Sequence, residues 1–270
     1  MRMERQQDQN ASADIVTALA DEVVNLRDFG GLPTVAGQYV KTGMLYRSGH
    51  LATLSDSGCA LLDAQGFAIV ADLRFAKERE EAPSLWPTQA GIDILRVEGG
   101  EQSEGPHVAV LKSGALAPDD IDHFYRNFYR TIPFDPHFRP MFAAIIARIA
   151  DASGPALIHC SVGKDRTGIL VALIHHLLDV TPEAIRANYM KTREAPGLEK
   201  MVPEIIDRLR DRLRQDITPA TARKMLGVEE SYLDAAFDEI VQRCGSIAEY
   251  LAQSGVDDAV RDSLRARLLS

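Results

Sequence analysis

Cysteine is scarce in this sequence: Cys59, Cys160 and Cys244 are the three in 270 residues, and their spacing is unpaired. That excludes a disulfide framework and fits a reducing compartment. Basic charge is in deficit as well. A formal net charge of −9 speaks against a general binder of nucleic acid or of anionic membrane. No apolar run is long enough to span a bilayer, and the N-terminal residues lack the apolar core of a secretory signal. The default reading is a cytoplasmic protein without a membrane anchor, with export by a route that uses no standard signal left open. Internal repeats and low-complexity segments are missing too. What is present is ordinary for a soluble protein, 46% hydrophobic and 26% charged residues, in a chain long enough to bury a sizeable core.

One stretch organises the rest, Ile158-His159-Cys160-Ser161-Val162-Gly163-Lys164-Asp165-Arg166-Thr167-Gly168. Ala156-Leu157-Ile158 leads in as a short buried strand. The apolar run Ile169 to Ile174 leads out as a helix opening near Asp165 or Arg166. A loop that opens a helix carries unpaired backbone N–H groups and the positive end of the helix dipole, so it suits an anion. A thiol placed there beside a guanidinium favours its thiolate, a strong nucleophile. Arg166 can fork two N–H donors onto one tetrahedral oxyanion. Gly163 lets the backbone turn so that the amides of 161 to 166 converge, and the Thr167 hydroxyl is placed to donate to the Cys160 sulfur. Ser161, Val162, Gly163, Lys164, Thr167 and Gly168 are therefore substrate-binding candidates around a catalytic Cys160 and Arg166. A nucleophile under a phosphate cradle points to phosphoryl transfer through a cysteinyl-phosphate. A lone Cys and Arg at this spacing is weak; a buried free cysteine is usually inert core. The leading strand, Gly163, Thr167-Gly168 and the apolar helix give this pair its context.

At these residues the chain resembles the cysteine-dependent protein tyrosine phosphatases, whose signature is His-Cys-x5-Arg-Thr-Gly. The fuller Gly163-Lys164-Asp165-Arg166-Thr167-Gly168 is similar to a bacterial branch of atypical tyrosine, dual-specificity and phosphoinositide phosphatases. The likeness extends to Asn25 through Gly31, Leu45 through Gly49, Ala71-Asp72-Leu73-Arg74, Gly227-Val228 through Tyr232-Leu233, Gly245-Ser246, Tyr250-Leu251 and Gly255-Val256, covering nearly everything after about residue 22. It implies the cysteine-phosphatase fold, no cofactor, a phosphorylated protein or phosphoinositide as substrate, and a lid over the site formed by part of the C-terminal region. Two other readings stay open. Sulfurtransferases and arsenate reductases also place a thiolate in an anion loop, and a loop without turnover would make a phosphoresidue-binding module. Thr167-Gly168, Lys164 and the lack of a partner cysteine at redox spacing count against the first; Cys160, Asp165 and Arg166 together count against the second.

Taken in order, residues 1–13 are polar and Gln-rich and read as a mobile tail ahead of one catalytic domain over 14–270. Short strands are expected before Gly30, at Gly37–Val40, at Met44–Arg47, at Phe67–Ala71 and at Ile92–Val97. Helices are expected from Asp56 to Leu62, Asp119 to Tyr129 and Pro140 to Ile149. Thr181-Pro182 caps another, and the part from about 181 onward reads helical over Pro203–Arg214, Glu229–Cys244, Ser246–Gln253 and Val256–Leu269. Gly99 to Pro118 reads as an irregular loop. Strands alternating with helices give an α/β fold, a central mainly parallel sheet with helices on both faces, extended by helices at the C-terminus. Ligands then sit at the carboxyl ends of the strands, where Cys160, Asp72 and Arg74 fall.

The supporting residues each carry an open choice. Arg47 and Arg74 stand as substrate contacts or as ties between sheet and loop; Arg27 and Asp28 read as a pair that ties the sheet edge. His159 can hold loop carbonyls and favour the thiolate. Lys77 to Glu81 reads as a solvated face, and Ile121, Phe124, Tyr125 and Phe128 as core. His175 and His176 have no partners at metal spacing, so no metal is expected. Lys164 either raises the local potential or meets a second phosphate on an inositol ring. The general acid departs from the usual pattern, because the region after Val97 holds no aspartate on a Trp-Pro-Asp loop. Asp165 is the first candidate, as acid and later base, with Asp72 supporting or sharing that role.

Overall fold

The structure, a computed structural model, describes residues 14–87, 91–99, 117–195, 197–213 and 217–270. The expected tail over 1–13 and nearly all of the loop expected between Gly99 and Pro118 lie outside the described residues.

The sheet follows from short β-branched and apolar runs. Its strands are β1 (Arg27–Asp28), β2 (Leu45–Ser48), β3 (Ile69–Asp72), β4 (Asp93–Arg96) and β5 (Ala156–His159), in the spatial order β1-β2-β5-β3-β4. Only β1 is antiparallel to its neighbour; β2, β5, β3 and β4 run parallel. The helices are α1 (Asp56–Asp63), α2 (Ala76–Glu81), α3 (Pro118–Thr131), α4 (Phe138–Asp151), α5 (Asp165–Leu177), α6 (Pro182–Met190), α7 (Leu198–Leu213), α8 (Pro219–Leu226), α9 (Glu230–Cys244), α10 (Ile247–Gln253) and α11 (Asp258–Leu268). Gly37–Val40, expected as a strand, forms only isolated bridges among the described residues, Tyr39 to Pro33 and Val40 to Leu269.

Strand side chains alternate between faces, and the two faces have separate cores. Leu45, Ile69, Ala71, Ala156 and Ile158 join the larger core with the buried sides of α3, α4, α5 and α9. Tyr46, Val70 and Leu157 point the other way, against Ile15, Leu19, Leu62, Phe67 and Trp86. A sheet covered on both faces is the arrangement that a mostly parallel ladder requires. α5 is buried along nearly its whole length, as its uniform apolar run dictates. α9 packs along α3 and α11 along α4, so the C-terminal helices cover the larger core. No described helix is long and apolar enough to cross a membrane.

The parallel register carries the strand ends to one rim. Asp72 and Ser48 both lie opposite His159, and the chain leaves β5 directly into Cys160. The site is built there.

Candidate active site

The loop between β5 and α5 is shaped by one glycine. Gly163 has a φ of 71°, and a Cβ added to it would sit 2.3 Å from the Ser48 carbonyl oxygen. Neither a left-handed backbone nor that approach suits another residue. Side chains from earlier in the chain then fasten the loop's outer carbonyls. Asn25 donates Nδ2 to Val162 O (3.1 Å) and Gly163 O (2.9 Å), and Arg47 donates Nη2 to Gly163 O (2.6 Å). With these carbonyls turned outward and α5 opening at Asp165, the unpaired N–H groups of the helix start are left to the inner side. Cys160, Ser161, Val162, Lys164, Asp165 and Arg166 line a small cavity at this point.

Arg166 is positioned by a residue that the sequence reading leaves out. Glu78, third in α2, takes its guanidinium end-on, Nη1 to Oε2 at 2.5 Å and Nη2 to Oε1 at 2.7 Å. Nη1 also donates to Leu73 O at 2.9 Å. An arginine has five N–H groups, so these bonds leave the Nε–H and one Nη2–H, a parallel pair, for an oxyanion. Glu78 is fixed in turn by Ser161 Oγ (2.5 Å) and by the Phe75 amide (3.0 Å). Burial works to raise its pKa, but Arg166 first, then Ser161 and the Phe75 amide, draw it down to about 2. Arg166 is held firmly protonated against the cost of its burial. Lys77 to Glu81 is thus not uniformly a solvated face. The signal available was position: a helix opening at the carboxyl end of a parallel strand points its first turn at the loop.

Asp165 lines the cavity and is nearly buried. Its Oδ1 has no hydrogen-bond partner among the described residues, with the Lys164 ammonium 3.6 Å away. Behind it stand two buried tyrosines; Tyr189 donates its hydroxyl to Tyr129 (2.8 Å), whose own hydroxyl interacts with the Asp165 carboxylate. Opposite the loop, Ile205 of α7 and Met225 and Leu226 of α8 form an apolar roof, and Tyr125 of α3 forms a wall. Tyr125 is both core and site: buried, and donating to Met225 O at 2.9 Å. The roof leaves about 20 Å³ free to the centre of a water molecule, room for one.

Other expected residues lie outside the cavity. Asp72 is chelated by Arg74, Nε to Oδ1 at 2.9 Å and Nη2 to Oδ2 at 2.7 Å, with His159 Nδ1 3.8 Å away. Burial would raise the Asp72 pKa, yet His159 and Arg74 hold it at about 2. Such a carboxyl is held in its ionised form near neutral pH. Arg74 also spends itself on Ala82 O and Ser84, and Arg47 is wholly buried behind Gly163. The structure therefore places Arg47 on the loop's Gly163 carbonyl and Arg74 on Asp72, Ala82 and Ser84, both away from the cavity lining. His159 is buried, which lowers its pKa. The Thr167 hydroxyl, expected to donate to the Cys160 sulfur, has no hydrogen-bond partner among the described residues. Arg27 reaches Asn188 O and Thr192, while Asp28 accepts the amides of Gly30 and Gly43.

The chain has known relatives. The model of the tyrosine phosphatase family matches residues 19–270. The triple-specificity protein phosphatase PtpB of Mycobacterium tuberculosis is 27% identical over 270 residues, covering 91% of this chain and 96% of its own. A Cupriavidus necator protein that carries the name tyrosine-protein phosphatase is 30% identical over 231 residues, covering 86% of this chain and 81% of its own. Among solved structures, the core catalytic domain of the PP-IP phosphatase SIW14 from S. cerevisiae is 18% identical, with a TM-score of 0.30 over 54% of this chain and 69% of its own. TpbA of P. aeruginosa is 15% identical, with a TM-score of 0.29 over 74% of this chain and 89% of its own. Those scores are too low to bear on the fold, which rests on the topology above.

Proposed function

Because the chain belongs to the tyrosine phosphatase family, we propose that it hydrolyses phosphotyrosine and related phosphate monoesters through a cysteinyl-phosphate on Cys160. The observation that carries this reading is the convergence on one cavity of Cys160, the two N–H groups of Arg166 and the Oδ1 of Asp165 that have no hydrogen-bond partner among the described residues. The Cys160 thiolate attacks phosphorus; the S–P bond forms as the P–O ester bond breaks, and the leaving oxygen takes its proton from Asp165. A water then attacks the cysteinyl-phosphate, Asp165 accepts its proton, and the thiolate departs with inorganic phosphate released. The loop amides and the Nε/Nη2 edge of Arg166 hold the equatorial oxygens, where charge builds in both transition states.

Breadth beyond phosphotyrosine, to phosphoserine, phosphothreonine and phosphoinositides, is part of the proposal. It is supported by Lys164, a cation in the cavity that Arg166 does not need, and by the printed name of the mycobacterial relative. Release of phosphate from p-nitrophenyl phosphate, with a chelator present, tests the central reading. Cys160→Ser should lower turnover by at least about a thousandfold while leaving the fold intact. Activity of that variant within about tenfold of the unmodified protein would overturn the mechanism.

A further inference from the structure

Lys164 enters the site as a cation, yet it faces the roof. Its ammonium donates to the Met225 carbonyl at 2.6 Å, lies 3.9 Å from the centre of the Tyr125 ring and 3.6 Å from Asp165 Oδ1. The residue is 1% exposed. Met225 belongs to the last turn of α8, where unpaired carbonyls and the helix dipole present negative charge. A cation of the phosphate loop is therefore fastened to the negative end of a roof helix.

Two requirements coincide at this bond. With space for about one water, the closed cavity cannot admit a phosphoryl group and its ester substituent unless Ile205, Met225 and Leu226 move. Equally, Lys164 cannot reach a second phosphate while its ammonium is held by Met225. Letting go of the carbonyl satisfies both.

We propose, resting on the phosphatase reading above, that Lys164 is the latch of the α7–α8 roof and that a second phosphate on the substrate draws it off. A phosphate offers the ammonium a charged partner in place of a neutral peptide carbonyl. A substrate bearing two phosphates thus opens the site it enters, whereas one with a single phosphate waits for spontaneous opening. Preference for multiply phosphorylated rings then arises from release of the roof as much as from contact in the bound state.

Hydrogen exchange at the amides of residues 222–226 reads the roof without any turnover. Lys164→Met, which keeps the aliphatic stem, should speed that exchange about tenfold or more with no ligand present. Unchanged exchange would overturn the latch. In the Cys160→Ser protein, saturating inositol 4,5-bisphosphate should also speed it about tenfold, while saturating inorganic phosphate should leave it within about twofold. Equal acceleration by both, or none by the bisphosphate once bound, would overturn the second half. Tyr125→Phe, nearly isosteric, guards against a Lys164→Met protein that does not fold. It removes the other donor to Met225 O, and should alter exchange by no more than about threefold; a rise of about tenfold would move the latch to Tyr125 and overturn the assignment. Failure of the parent reading looks different: p-nitrophenyl phosphate goes unhydrolysed while the exchange pattern stands.

Discussion

Two carboxylates share the phosphate loop at the residue scale, and their surroundings divide their work. Asp165 keeps an oxygen without a hydrogen-bond partner among the described residues, which suits a proton donor and acceptor; Glu78 has both oxygens committed and is ionised. Asp165→Asn should therefore slow alkyl phosphates strongly and activated aryl phosphates much less, because only the poor leaving group needs the proton. Steady-state rates across a series of leaving groups check this. Equal slowing of both, with the dependence appearing instead in Asp72→Asn, would reverse the assignment. Glu78→Gln should act through Arg166, lowering kcat/KM by about 10–100-fold and weakening vanadate binding, since the guanidinium loses its bidentate anchor. Normal vanadate affinity in that variant would show that Arg166 is positioned by other contacts.

Among the elements, local signals and distant contacts were not equally legible. The strand, loop and helix around Cys160 are contiguous, so their pattern is visible in the sequence. Thr181 does cap α6 and Ser246 does cap α10, each accepting from an amide three residues on. The contact of Glu78 with Arg166 joins residues 88 apart, and within Lys77 to Glu81 only the place of Glu78 in the first turn of α2 sets it apart from the other acids. The roof helix α8 is a different case. Thr218 and Pro219 repeat the Thr181-Pro182 start, and Thr218 accepts from the Thr221 amide at 3.1 Å, so its signal was present but went unassigned. Thr218→Ala removes that cap at a cost of about 1 kcal/mol. The roof should then open more often, and Cys160 should react with iodoacetamide about fivefold faster at fixed pH. An unaltered rate would mean that α8 does not screen the thiol.

At the scale of the whole molecule, buried titrating groups set the response to acid. Glu78 lies near 2 against an ordinary 4.5, so its contribution is complete above about pH 4.5 and is lost as pH falls through 2. Asp72 behaves alike between 3.8 and about 2. His175 is kept neutral chiefly by burial, at about 4 against 6.5; its contribution is complete above about pH 6.5 and is lost as pH falls through 4. In each case the unfolded chain binds more protons, so stability should decline from about pH 6.5 downward and most steeply below about 4.5. Urea midpoints across that range test the slope. In Glu78→Gln the deficit relative to the unmodified protein should shrink as pH falls toward 2; a constant deficit would show that the carboxylate's charge contributes nothing.

The one-water cavity also governs how foreign molecules meet this protein. An inhibitor that fills the phosphate cradle binds only the fraction of molecules whose roof stands open, so its apparent affinity is the intrinsic affinity scaled down by that fraction. Its onset is paced by opening and saturates at high concentration, instead of climbing in proportion to dose. A brief preincubation would then understate potency, and compounds ranked by early inhibition would be ordered by how they await the roof rather than by how well they fit beneath it. Molecules that engage the roof from outside and favour its open form would raise the potency of a second compound aimed at Cys160, a synergy that equilibrium docking into the closed cavity has no way to reveal.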